Sequence, residues 1–325
     1  MAIRSADGLL FGYHMPSYTF PGTPPDELFD KVAANAQAAE AAGFDLVTVM
    51  DHFYQISGVG SEAEPMLEGY LTLAALATRT SRVRLGTMVS GVTYRNPALL
   101  AKQVTTLDII SKGRAILGIG AAWNESEHAG LGFAFPPIRE RMDRLEEALE
   151  IFRLMFTQDR PSFTGRYYSI DRVLNSPPPI TPGGPPILIG GGGERRTLRM
   201  VARYADLSNW FGPPEQMPHK LEVLERHCEE VGRDPTTILR TATPPVVLVA
   251  NHREDAALLD SLPPERRDQV KAATPDEAAE VVGRYLDLGF RGFIFRNAGG
   301  MMTPEEIALG GEVIRLVRHR APVAA

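Results

Sequence analysis

Apolar residues fall along this chain in short runs of strand length, and between the runs they recur every three to four positions as on a helix face. The runs read as strands at residues 9–16, 45–52, 82–90, 114–121, 187–193, 206–211, 244–251 and 290–298. Helix signals stand between them. Thr23-Pro24-Pro25-Asp26 reads as a capping box for a helix from Asp26 to Ala42, closed by Gly43. Asn96 with Pro97, Thr274-Pro275-Asp276-Glu277 and Thr303-Pro304-Glu305-Glu306 predict three more helix starts of the same chemistry.

Strand and helix therefore alternate through the whole length. Near-continuous apolar strands separated by helices predict a parallel sheet covered on its faces, and eight such units close as a (β/α)8 barrel. The open doubly wound sheet is the alternative. The alternation stretches in two places: residues 122–137, followed by a small hairpin at 162–170 and a Pro-rich run at 175–186, and residues 252–273. These predict insertions after strands 4 and 7 of an α/β TIM barrel, with residues 1–325 forming one domain.

Composition narrows the class. With 44% hydrophobic and 23% charged residues, the chain has the balance of a soluble globular protein. A net charge of −6, with no basic stripe, argues against nucleic-acid binding. The single cysteine, Cys228, excludes an intrachain disulfide, and its helical spacing with Leu221, Leu224 and Val231 predicts packing. No signal-peptide pattern and no long apolar run occur, so a cytoplasmic location without membrane contact is expected.

In a parallel barrel the chemistry collects where strands end. That rule selects His14, Asp51, His52, Ser90, Ala121, Trp123, Asn124, the glycines Gly190 to Gly193, Trp210, Phe211, Arg296 and Asn297. A histidine at a barrel mouth can donate, accept or move a proton near neutral pH. The bland alternative makes Asp51 a cap and His52 a partner of a backbone carbonyl. Four glycines before a helix predict a phosphate site with charge from Arg195 or Arg196, although one glycine would serve a plain turn. His14, Trp123 and Trp210 are expected in the substrate pocket. The aromatics Phe53, Tyr54, Phe133, Phe135 and Phe211 lie in loops on the same face and favour a flat apolar ligand. No metal site is predicted, since none of the usual ligand spacings occurs and one would have to be assembled from His14, Asp51 and His52.

Three stretches together carry a family likeness: "MDHF" after strand 2, "LGTMVSGVTYRNPALLAKQVTTLDIISKGRAILGIGAAWNESE" across strands 3 and 4, and "PILIGGGGERRTLRMVARYAD". They resemble the bacterial luciferase-like monooxygenase superfamily, and most closely its branch using the deazaflavin coenzyme F420. The resemblance implies a barrel that binds a flavin or deazaflavin at the strand C-termini. Asp51 and His52 match its acid–histidine pair beside the cofactor ring. Met88-Val89 match a bulge with a non-prolyl cis peptide behind the ring, Gly120 and Ala121 flank the cofactor, and Gly191, Gly192 and Gly193, with Arg195, match the phosphate turn. A homodimer is common in the family. One departure is clear: the sugar-phosphate dehydrogenases of this family carry a glutamate just after strand 4, and here that residue is Ala121.

The resulting expectation is an oxidoreductase transferring a hydride between F420 and a small apolar or conjugated organic substrate. The alternatives are an FMN-dependent monooxygenase supplied by a separate flavin reductase, and a non-catalytic flavin-binding homologue.

Overall fold

A computed structural model describes residues 3, 7–253, 259–260, 262, 267–296 and 301–320. Asn297 and part of the expected excursion after strand 7 lie outside the described residues. The chain opens with β1 (Leu10–Met15), α1 (Leu28–Ala42), β2 (Leu46–Val49), α2 (Gly69–Arg79), β3 (Arg84–Thr87), β4 (Ser90–Gly91) and α3 (Pro97–Ile110). β5 (Ala115–Gly120) leads through the inserted α4 (Glu125–Leu131) to α5 (Ile138–Thr157), which packs between α3 and the later helix Thr197–Tyr204, and then to an inserted hairpin, β6 (Phe163–Thr164) and β7 (Ser169–Ile170). Then follow β8 (Ile187–Gly190), α6 (Thr197–Tyr204), β9 (Leu207–Phe211), α7 (Met217–Val231) and β10 (Leu239–Thr243). The last part holds β11 (Val246–Leu248), β12 (Lys271–Ala273), α8 (Pro275–Asp287), β13 (Gly292–Phe295) and α9 (Pro304–Arg320).

Parallel pairing runs β3-β2-β1-β13-β10-β9-β8-β5, and β3 also pairs with β5, which closes eight strands into a barrel. The α/β TIM-barrel expectation holds, with the insertions after its fourth and seventh strands. β4 continues β3 beyond a short break and pairs with β5.

Strand alternation sorts side chains into an inner and an outer set. Leu10, Leu46, Ile116, Leu188, Leu207, Leu239 and Ile294 meet inside the barrel as a closed apolar cluster. Their neighbours Phe11, Val47, Leu117, Ile189 and Phe293 face the helices in the larger core. Cys228 is buried in that core on α7, as its spacing predicts.

Three helix starts follow the sequence chemistry. Asn96 accepts from Ala98 N at 2.9 Å with Pro97 in the first turn, Thr274 and Glu277 form a complete capping box, and Thr303 and Glu306 exchange side-chain and backbone bonds. The fourth does not. α1 begins at Leu28, without a side-chain cap, and the residues before it form turns in which Thr23 N–H donates to Phe20 O and Glu27 N–H to Pro24 O.

The seventh barrel strand is also corrected. It is Leu239–Thr243, not the valine-rich 244–251, of which Val246–Leu248 pairs with β12 in a separate two-stranded sheet. The barrel strand is half polar because its inward threonines find partners: Thr241 donates to Asn209 Oδ1 at 2.8 Å, and Asn209 donates to Thr243 Oγ1 at 3.2 Å. No helix among the described residues is long and apolar enough to cross a membrane.

Candidate functional site

Above the closed apolar cluster the barrel opens into a cavity of about 1590 Å³ at the strand C-termini. The inner row supplies its floor, in phase with that cluster: His14 follows Leu10 by four residues, Met50 and His52 follow Leu46 by four and six, and Gly120, Gly190 and Asn209 take matching places on β5, β8 and β9.

The same alternation sends Asp51 outward. It is buried, does not line the cavity, and accepts two bonds from Arg95: Nη1 to Oδ2 at 2.5 Å and Nη2 to Oδ1 at 2.9 Å. Arg95 also donates to Glu68 and lies over the Tyr70 ring at 4.9 Å. The structure therefore places Asp51 behind the site, in a closed ion-pair network, and not against the space a cofactor would fill. Trp210 is misplaced by the same one-residue parity. It is 1% exposed, donates Nε1–H to Ser208 Oγ at 2.8 Å and meets the Phe290 ring edge-on at 5.4 Å, so it belongs to the core and not to the substrate pocket.

His52 faces inward. Its Nδ1 lies 3.0 Å from Glu127 Oε1, on the first turn of α4, and its ring meets Trp123 edge-on at 5.4 Å. Glu127 is fully buried and gathers further donors: Tyr94 Oη–H, Asn124 Nδ2 at 3.2 Å and Phe53 N at 3.3 Å. Burial pushes the Glu127 carboxyl up, but the hydrogen bonds from His52 and Tyr94 outweigh it and hold the group below the usual carboxylate range. His14 sits on the neighbouring strand β1 with Nδ1 2.9 Å from Thr48 Oγ1. Burial, aided by the positive Arg296, lowers its pKa to about 3, so His14 is neutral at physiological pH.

The Met88–Val89 peptide is cis and both residues line the cavity. Val89 seats between two barrel strands only because they carry glycine there: a Cβ on Gly120 or Gly190 would stand 3.0 or 2.9 Å from Val89 Cγ2. After β5, Ala121 lines the cavity and Ala122 holds a left-handed φ of 61°, its carbonyl accepting from Arg141 Nη1 at 2.9 Å. That bend carries Trp123 to the mouth, where it is 57% exposed.

At the glycine turn, Gly191 has φ 102° and lines the cavity, and Gly192 and Gly193 lead on to α6, whose Thr197 also lines it. The arginines expected there are elsewhere. Arg195 is exposed and away from the lining, and Arg196 is paired with Asp143 at 2.7 Å. The cation at the turn is Lys220 of α7, whose Nζ stands 2.8 Å from where a Cβ on Gly192 would be. Of the loop aromatics only Trp123 and Phe211 line the cavity. Phe53 and Phe133 pack on Tyr94 at 5.2 and 6.3 Å, and Phe135 on His128 at 4.7 Å.

Sequence reading missed Glu127, Tyr94 and Lys220. The first lay inside a stretch read as a loop, and the last inside a helix, where only its spacing on α7 toward the glycine turn would have marked it. Among the described residues no group of three or more histidine, cysteine or acidic side chains is placed to hold a metal ion.

The family described as Luciferase-like monooxygenase matches residues 8–301. An F420-dependent glucose-6-phosphate dehydrogenase of Microbacterium testaceum is 30% identical over 96% of this chain and 98% of its own. An F420-dependent hydroxymycolic acid dehydrogenase of Mycobacterium tuberculosis is 34% identical over 66% of this chain and 58% of its own. The solved structure of an F420-dependent secondary alcohol dehydrogenase in complex with an F420-acetone adduct superposes with a TM-score of 0.78, at 19% identity, over 95% of this chain and 99% of that one, which shows a shared fold. With the match spanning the barrel from its first strand to its last, this chain belongs to the luciferase-like monooxygenase family.

Proposed function

We propose that this protein is an oxidoreductase that binds the deazaflavin coenzyme F420 and acts on a small apolar or conjugated organic substrate. The observation that carries the reading is His52, turned into a large cavity beside the Met88–Val89 bulge with a buried carboxylate behind its ring. The relatives' names support the choice of coenzyme.

The residues present fit such a group. A wide cavity floored by glycines admits a flat ring, and the turn at Gly191, with Thr197 and the Lys220 ammonium, offers backbone N–H groups, a hydroxyl and a positive charge to a phosphate. When bound, the coenzyme supplies a ring carbon that takes or gives a hydride. His52 manages the proton that must accompany it, through the ring nitrogen not engaged by Glu127. His14, neutral and held by Thr48, offers a hydrogen bond without charge.

The substrate class follows from what lines the mouth. Trp123, Ile138 and Phe211 are 57%, 56% and 52% exposed there, apolar surface that a ligand of like character would cover. Ala121 stands where the sugar-phosphate dehydrogenases of the family carry a glutamate, which argues against their reaction here.

Equilibrium titration of cofactor-free protein with oxidised F420 and, separately, with FMN, followed by ligand fluorescence, tests the proposal. Micromolar F420 binding with much weaker FMN binding is expected. The reverse preference would overturn it in favour of an oxygen-activating flavin enzyme.

A further inference from the structure

The four groups around Glu127 are not interchangeable. Phe53 offers a backbone N–H, which can only donate, 3.3 Å from Oε2. Asn124 presents its amide nitrogen, also a donor, to the same oxygen at 3.2 Å. Tyr94 donates its hydroxyl to Oε1. His52 Nδ1 completes the set, 3.0 Å from Oε1 and 3.1 Å from Oε2. An ionised carboxylate accepts and cannot donate. The imidazole must therefore bring a proton to this contact.

Nothing else nearby relieves that requirement. His128, the next residue on α4, spends both ring nitrogens elsewhere, with Nδ1 2.6 Å from Asn124 O and Nε2 2.6 Å from Thr93 Oγ1. Arg95 is committed to Asp51 and Glu68. Among the described residues Glu127 has no ion pair other than the one with His52.

We infer that Glu127 is a positioning residue that fixes His52 in the tautomer protonated at Nδ1, so that the neutral ring presents a bare Nε2 lone pair to the cavity. The proton on a histidine's buried nitrogen is set by the hydrogen bond made there, and the other nitrogen inherits the opposite role. His52 thereby meets the cavity as a proton acceptor, with a buried negative charge behind it to stabilise the imidazolium once the proton arrives. The consequence for turnover rests on the function proposed above; the tautomer itself does not.

Glu127→Gln gives a sharp test because the carboxamide is almost the same shape. Phe53 N–H and Asn124 Nδ2 hold its oxygen on their side, which turns the amide NH2 toward His52 and Tyr94. A donor now faces Nδ1 at the Oε1 position, while the oxygen kept at the Oε2 position, 3.1 Å away, already holds two donors and carries no charge, so the Nε2-protonated form gains population. Long-range proton–nitrogen spectra of nitrogen-labelled, ligand-free protein at alkaline pH report the tautomer directly, with the His52 signals identified by their loss in His52→Gln. The wild type is expected to show the proton on Nδ1, and Glu127→Gln to show it shifted toward Nε2. With F420 and a turned-over substrate, kcat of Glu127→Gln is expected to fall about 10–100-fold with the coenzyme Kd changed less than about threefold. A wild-type ring protonated at Nε2, which is read with Glu127 unchanged, overturns the inference. So does a Glu127→Gln protein whose His52 pattern is unmoved. A protein with the expected tautomer that binds no F420 leaves this inference standing and defeats only the functional reading.

Discussion

Asp51 and His52 are neighbours in the chain, yet they belong to two networks of opposite character. On the outer side of β2, the buried Asp51 and Arg95 and the partly exposed Glu68 form a group in which each charge is met by another and none lines the cavity. On the inner side, Glu127 collects four donors, but the His52 ring it holds keeps one nitrogen turned toward open space. A closed network of charges supports structure, because every group in it is already satisfied. The open one ends at the cavity, on the atom to which the proposed function gives the proton.

The comparison breaks most visibly if each network loses one member. Asp51→Ala takes from the buried Arg95 its two-bond partner and leaves it only the partly exposed Glu68 among the described residues, which is expected to cost about 3 kcal/mol of stability, read from denaturant midpoints. His52→Ala is expected to lower turnover by about 10²–10⁴-fold while costing only about 1 kcal/mol of stability, since Glu127 keeps three other donors. Equal stability losses in the two variants would erase the distinction.

A second test uses pH. His14 is held neutral in the fold, with its pKa lowered from 6.5 to about 3. Below pH 6.5 the unfolded chain takes up a proton that the folded one refuses, so this contribution is complete above that pH and is lost as pH falls toward 3. The slope is up to about 1.4 kcal/mol per pH unit. Glu127, with its pKa lowered, adds a loss of the same sign at lower pH. Denaturation curves across this window should therefore be flatter in His14→Asn than in the wild type; matching slopes would show that His14 is not the group responsible.

The smallest effect concerns the glycine turn. Lys220→Ala is expected to weaken F420 binding about 5–10-fold, with a shallower salt dependence and an unchanged Tm, whereas Arg195→Ala should leave binding as it was. Sensitivity at Arg195 in place of Lys220 would move the phosphate to the outside of the turn.

Much of this was legible in the chain itself. Apolar runs, glycine stops and proline-led caps fix local geometry within a few residues, so the barrel, three of four singled-out caps, and the positions of His14, His52 and the bulge at Met88-Val89 were within reach of the sequence, the bulge by family likeness. Two of the misreadings share one cause. Asp51 and Trp210 each sit one residue out of phase with an inward neighbour, and a strand's phase is set by which face meets the barrel interior. The seventh strand was missed because Thr241 and Thr243 look polar until Asn209, on the neighbouring strand, supplies their partner.

Sequence by itself determined what each segment is and which end of the barrel carries chemistry, because those follow from local propensity and from strand order. Only the tertiary structure decided which of two adjacent residues faces the cavity. It alone set Glu127 against His52, 75 residues earlier in the chain, and Lys220 over the turn at Gly192. Contacts of that kind depend on the closure of the barrel and the path of its insertions, and no short-range pattern encodes them.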